Sequence, residues 1–171
     1  SCGVTTEQQL LCWRDKYRPP TGAFGSVTVG NPASCALDLS GAVSCWGPVY
    51  HDQDTPPSGS RFVDLSMGLY HICGLTEDSS VSCWGLSDGG LTDGPSGTFS
   101  ALDAGWTQTC AIGSNGALSC WGMDYAGEGS PPQGVFTTVS MGSQHGCAID
   151  DEASLSCWGD NGFGQTTVPQ N

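Results

Sequence analysis

The chain has 171 residues, of which 10 are cysteine, 26 glycine and 10 proline, with only 4 basic side chains against 17 acidic ones. The net charge of −13 speaks against nucleic acid and anionic lipid as partners, because binding either rests on Lys and Arg neutralising phosphate. So much glycine and proline excludes long helices, no apolar run is long enough to span a bilayer, and an even, high cysteine count points to an oxidising compartment and hence a secreted chain.

In chain order, the first predicted element is a hairpin from Cys2 to Cys12, followed by Trp13. The chain opens directly on it at Ser1, which is expected to lie near a mature N-terminus. An extended segment, Phe24-Gly-Ser-Val-Thr-Val-Gly30, then leads into a second hairpin, Cys35 to Cys45, followed by Trp46. The succession returns three times: Phe62 to Gly68 before Cys73, Cys83 and Trp84; Phe99 to Gly105 before Cys110, Cys120 and Trp121; and Phe136 to Gly142 before Cys147, Cys157 and Trp158. Nine residues separate the cysteines of every pair, and the Trp-to-Trp steps are 33, 38, 37 and 37 residues. Chance does not produce such a five-fold repeat. The first unit alone lacks the Phe-x2-apolar-x2-Gly strand, and the sequence stops at Pro169-Gln-Asn171, where such a strand should follow. One blade is therefore expected to be short by a strand; either the ring closes without it, or an exposed edge remains for a strand-pairing partner.

Within a unit, the segment Cys35-Ala-Leu-Asp-Leu-Ser-Gly-Ala-Val-Ser-Cys45 reads as strand, tight turn, strand. Pairing Leu37 with Val43 sets Cys35 opposite Cys45, close enough for a disulfide. Five such staples are expected: Cys2–Cys12, Cys35–Cys45, Cys73–Cys83, Cys110–Cys120 and Cys147–Cys157. Pairing between repeats is the rival, but it leaves the constant spacing unexplained. Alternation places Cys35, Leu37, Val43 and Cys45 on one face and Ala36, Ser44 and Trp46 on the other, so both faces carry groups to bury, as in a small sheet packed between two neighbours. The expected fold class is all-β: a five-bladed β-propeller of short three- to four-stranded blades spanning 1–171 as one domain. An open solenoid is the alternative, and it would need atypical polar end repeats.

The units resemble the repeats of the regulator-of-chromosome-condensation family. The resemblance rests on Gly68-Leu-Tyr-His71-Ile-Cys73-Gly-Leu75 with Val81-Ser-Cys-Trp-Gly85, on Gly142-Ser-Gln-His145-Gly-Cys147-Ala-Ile149 with Leu155-Ser-Cys-Trp-Gly159, and on Asp160-Asn161-Gly-Phe-Gly164-Gln165. The paired cysteines look most like the secreted variants, such as crinkly-type receptor ectodomains; the β-lactamase-inhibitory propeller belongs to the same broad group. The resemblance implies a β-propeller used for binding, usually with seven blades where five units are counted here, and it fixes no chemistry.

Antiparallel order puts the loops between the first and second strands, and the segments after the third, on one face, with the hairpin turns on the other. The turns hold Glu7, Asp38, Glu77, Asp78, Asp150, Asp151 and Glu152, an acidic rim. The opposite face gathers Tyr17, Tyr50, Tyr70, Trp106, Tyr125 and Phe163 on loops that vary between repeats. Variable aromatic loops on a rigid scaffold suit a sugar ring or a protein surface, and the alternative is that the rings pack between blades. The five repeat Trp residues read as packing. His71 and His145 read as hydrogen-bonded structural histidines, and His51-Asp52-x-Asp54 as a solvated loop. Gly85-Leu-Ser87-Asp-Gly89 matches a nucleophile-elbow pattern without a following helix. Asp88 with Asp93, and Asp124 with Glu128, are acid pairs without an EF-hand spacing, so no metal or other cofactor is expected. These readings converge on a secreted, non-enzymatic binding module, lectin-like, taking carbohydrate through the aromatic face. The alternatives are a protein-binding or inhibitory module using the same face, and an enzyme with a central-channel site.

Overall fold

The computed structural model describes residues 1–13 and 16–169; Arg14, Asp15 and the last two residues lie outside it. Among the described residues fourteen strands form five antiparallel sheets in chain order. The first sheet has two strands, β1 (Cys2–Val4) and β2 (Leu10–Cys12). The second is β3 (Phe24–Val29), β4 (Ser34–Asp38) and β5 (Val43–Trp46). The third is β6 (Phe62–Met67), β7 (His71–Thr76) and β8 (Val81–Gly85). The fourth is β9 (Phe99–Ala104), β10 (Gln108–Gly113) and β11 (Leu118–Gly122). The fifth is β12 (Phe136–Met141), β13 (His145–Asp150) and β14 (Leu155–Gly159). Among the described residues four sheets are three-stranded and the first, β1-β2, is two-stranded.

Each cysteine pair faces across its hairpin, Cys35 opposite Cys45 and Cys73 opposite Cys83 among them. All five staples close within their own hairpins, and none links two repeats. A loop this short stabilises by roughly 2–3 kcal/mol through the unfolded chain. The hairpin turns are tied by their own polar residues. Asp38 Oδ1 accepts from Ser40 N at 2.7 Å and Ala42 N at 3.0 Å, Asp150 Oδ1 accepts from Ser154 N at 2.8 Å, and Asn115 Oδ1 accepts from Ala117 N at 3.1 Å. Part of the acidic rim is thus turn chemistry.

The core lies between sheets. The back of one sheet offers its cysteines and two aliphatics, and the front of the next offers Phe, an apolar residue of its second strand and the repeat Trp. Cys35 and Leu37 meet Phe62, Leu65, Ile72 and Trp84 in this way. Cys73 and Leu75 meet Phe99, Leu102, Ala111 and Trp121, Cys110 and Ile112 meet Phe136, Val139, Ala148 and Trp158, and Cys2, Val4, Leu10 and Cys12 meet Phe24, Ala36 and Trp46. Each large apolar side chain buried there is worth about 1.5–3 kcal/mol. Among the described residues these four seams join the sheets in series, one to two through four to five. At one end the front of the first sheet leaves Trp13 54% exposed, whereas Trp84 is 6% exposed. At the other, Ile149 and Leu155 on the back of the fifth sheet are exposed.

Candidate functional site

The face that carries the aromatic loops is built by the ends of the strands. Gly85, Gly122 and Gly159 follow the repeat Trp with φ of 108°, 101° and 93°, a conformation that favours glycine. The next residue then bonds back to the loop between the first two strands: Leu86 N to Tyr70 O at 2.9 Å, Met123 N to Thr107 O at 2.8 Å and Asp160 N to Gln144 O at 2.8 Å. The post-Trp segments and these loops therefore share one face, and the hairpin turns sit at the opposite ends of the strands.

Buried polar links hold the loops to one another. His71 is fully buried, with Nε2 2.7 Å from Thr109 Oγ1 in the next blade. Burial in this apolar seam lowers its pKa to about 4. A methyl group on Gly68 would collide with the His71 ring and stand 2.7 Å from Gly105 O, so only glycine fits there. Gln108 takes the same position one blade on, donating from Nε2 to Gly142 O and Ser143 O at 3.2 Å each. Nearer the axis, Ser66 Oγ donates to Asp103 Oδ1 at 2.7 Å, and Asp103 Oδ2 accepts from Met141 N at 2.7 Å. Leu69 N donates to Trp106 O at 2.9 Å, tying two loop tips together.

Two depressions open on this face. One, of about 390 Å³, is ringed by Gly30, Met67, Leu69, Trp106 and Ser143, drawn from four blades. The other, of about 400 Å³, is lined by Asn31, Pro32, Tyr50, His51, Leu69 and Tyr70. Leu69 is the wall between them. Tyr50 and Trp106 are more than half exposed, and the His51 ring meets Tyr70 edge-on, centroids 5.6 Å apart at 89°. His51 and Asp52 both hold positive φ, 55° and 58°, which costs a non-glycine residue about 1–2 kcal/mol. Strain of this kind collects where a loop is held for recognition.

Of the six aromatic residues singled out from sequence, Tyr50, Tyr70 and Trp106 gather around Leu69. Tyr17 packs into the seam between the first two blades, with Lys16 Nζ 4.8 Å from its ring centroid. Tyr125 stands apart, 68% exposed, its hydroxyl on Met123 Sδ at 2.8 Å, and Phe163 is 97% exposed at the far end of the series. His51 joins the cluster although its loop reads as merely solvated; its place beside Tyr50 was the available signal. Leu69 carried none, since an aliphatic between Gly68 and Tyr70 has no chemical mark.

The remaining candidates resolve structurally. Ser87 precedes a single 3-10 turn, Asp88–Gly90, and not a helix, so the strand–turn–helix that exposes a nucleophile is absent there. Glu128 is fully buried and accepts from Tyr125 N at 3.2 Å and Ala126 N at 2.6 Å, and Asp124 Oδ1 accepts from Gly127 N at 2.7 Å. These two carboxylates tie their own loop. Among the described residues no helix is long and apolar enough to cross a membrane.

The fold and this face define a class: a disulfide-stapled, propeller-type repeat protein whose polar loop links serve positioning. The regulator of chromosome condensation (RCC1) repeat matches residues 62–90 and 136–165 of this chain. The chain is similar to the entire ectodomain of the receptor kinase CR4 from Physcomitrella patens (27% identity, TM-score 0.77), covering 98% of this chain and 51% of that one. It is similar to the crinkly ectodomain of the receptor kinase ACR4 from Arabidopsis thaliana (27%, TM-score 0.68), covering 80% and 50%. The fold is shared with Prp20p of Saccharomyces cerevisiae (18%, TM-score 0.67), covering 81% and 44%, a protein described for its binding to Gsp1p and histones. The chain thus spans about half the length of these solved structures.

Proposed function

We propose that this chain is an extracellular, non-enzymatic recognition module, folding as one unit, that binds a protein partner through the loop face. The observation that carries the reading is the cluster of Tyr50, His51, Tyr70 and Trp106 around Leu69, on loops held by His71 and Gln108 and, for Tyr50, by Gln53, which accepts from Tyr50 N and donates to Leu69 O. Exposed aromatics on a pre-ordered surface make hot spots at low entropic cost. A lectin with equivalent sites on successive blades would place its rings at equivalent depths, and Tyr17, Tyr125 and Phe163 do not share the environment of Tyr50 and Tyr70. Carbohydrate is the second reading, supported by the cleft of about 400 Å³ beside Tyr50 and Tyr70, a volume within the range of small-ligand sites.

The test is capture from extracellular protein mixtures in parallel with a glycan array, using the native chain, Tyr50→Ala and Trp106→Ala. The protein reading expects one partner to be retained, with a loss of roughly 30-fold in affinity for each variant. Saturable glycan binding without protein capture transfers the assignment to the second reading. Capture that survives both substitutions removes the loop face from the account.

A further inference from the structure

We propose that the cleft between Tyr50, His51 and Tyr70 receives one cationic side chain, a lysine or an arginine, from the protein that binds the loop face. This rests on the protein-binding reading given above and names the group that the partner must carry.

The chain itself supplies the precedent. Tyr17 and Tyr50 stand at the same place in successive units, four residues after Trp13 and Trp46. In the first unit Lys16 precedes the tyrosine, and its Nζ lies 4.8 Å from the Tyr17 ring centroid. At that distance the negative face of the ring attracts an ammonium group. In the second unit Val49 takes the place of Lys16, and Tyr50 is 52% exposed. The charge that follows is reversed as well: Arg18 comes after Tyr17, whereas Asp52 and Asp54 come after Tyr50. Beyond Arg18 the only Lys or Arg of the chain is Arg61, and its Nη1 donates to Ser40 O in a hairpin turn on the opposite face. Among the described residues no Lys or Arg lines the cleft.

The cleft suits a long side chain with a charged end. Its volume is about 400 Å³. Pro32 and Leu69 give it apolar walls, against which the methylene stem of Lys or Arg can lie. Tyr50 and Tyr70 add aromatic rings, and their hydroxyls make no hydrogen bond among the described residues. Asp52 and Asp54 are exposed. Unlike Asp38 and Asp124, which accept from their own turns, their carboxylates accept no hydrogen bond among the described residues. Aromatic rings and two uncompensated carboxylates, in a chain of net charge −13, favour a cation over a neutral or anionic group.

The cleft is also held in place before a ligand arrives. Gln53 is 2% exposed; it accepts from Tyr50 N and donates to Leu69 O, at 3.4 Å each. Trp84 Nε1 donates to Gln53 O at 2.8 Å, and Thr55 N returns to Asp52 O at 3.0 Å. One buried amide thus ties the loop of Tyr50 to the loop of Leu69 and Tyr70, so little ordering cost falls on this side of the contact.

The experiment is an NMR titration of the full chain with N-acetyl-arginine methylamide and with the citrulline analogue, which keeps the shape and lacks the charge. It reads the ring signals of Tyr50, His51 and Tyr70. The proposal expects saturable shifts with a midpoint of about 10 mM for the arginine probe, and roughly tenfold weaker binding for citrulline. Tyr50→Leu keeps an apolar wall without the π face and is expected to weaken arginine binding about as much. Asp52→Asn with Asp54→Asn is expected to weaken it roughly threefold and to flatten its dependence on salt. All three positions are exposed, so these variants keep the fold. No saturable shift, equal binding of citrulline, or unchanged binding by Tyr50→Leu overturns the proposal. Shifts of the same rings by free galactose, without a response to arginine, overturn it in favour of carbohydrate. A captured partner that Tyr50→Ala releases, with no response to the arginine probe, keeps the protein reading and overturns only this one. Arginine-selective binding without any captured protein supports the cation site and removes the protein reading instead.

Discussion

The first and third blades share the Cys-x9-Cys-Trp hairpin, the same disulfide and the same register, yet their Trp residues live differently. Trp84 is buried against Cys35, Leu37 and Phe62 and donates from Nε1 to Gln53 O at 2.8 Å. Among the described residues no neighbouring sheet packs on Trp13, and its ring lies open. The hairpin therefore places the indole, and the seam buries it. Stability in this molecule belongs to pairs of neighbouring blades, as in other repeat architectures where each unit contacts only its neighbours.

Substitution at the two positions breaks this comparison most sharply. Trp84→Ala is expected to cost about 3–5 kcal/mol in denaturant unfolding, through lost burial and the cavity left behind. Trp13→Ala is expected to stay within about 1 kcal/mol. Equal losses would return the energy to the hairpins.

A pH titration of stability is the next largest effect. His71 is held neutral by its buried seam, with a pKa near 4 against an ordinary value of 6.5. Its contribution is fully present above pH 6.5 and is lost as pH falls from 6.5 towards 4, where the unfolded chain binds a proton that the folded one refuses. The loss approaches about 3 kcal/mol. His71→Gln, which installs the residue found at the matching position 108, is expected to flatten the profile in that window. Asp38 and Asp78 act lower on the scale. Their carboxyls are held below 3.8, chiefly by hydrogen bonds from the side chains of Ser40 and Thr76 respectively. Their contribution is lost only as pH falls below the ordinary carboxylate value.

The smallest effect comes from the small residues on the second strands. Gly74→Val forces the Phe62 ring and Leu65 apart and is expected to cost about 1–3 kcal/mol. Gly3→Val meets open space and is expected to stay within about 0.5 kcal/mol. Thermal unfolding of both variants checks the pair, and equal losses at Gly3 and Gly74 would contradict the difference in their surroundings.

The staples and the strand starts at Phe24, Phe62, Phe99 and Phe136 were legible because each leaves a mark at fixed spacing. The division into two faces followed from strand order alone. The gathering of Tyr50, His51 and Tyr70 was not legible, since it depends on a loop with two left-handed residues that no local signal announces. Nor was the inward turn of Tyr17 or Glu128, because tertiary contacts decide which loop side chain faces a seam. The polar positions that couple blades, Ser66 to Asp103 and His71 to Thr109, lie 37 and 38 residues apart and become visible only once the sheets are stacked.

Hydrogen exchange at the indole N–H groups, followed by NMR on the native chain, tests the seam account most directly. Trp84 and Trp158 donate to buried carbonyls, Gln53 O and Glu128 O, and their indole protons are expected to exchange orders of magnitude more slowly than that of Trp13. Protection of Trp13 equal to that of Trp84 would contradict the claim that the preceding sheet, and not the hairpin, buries the repeat tryptophan.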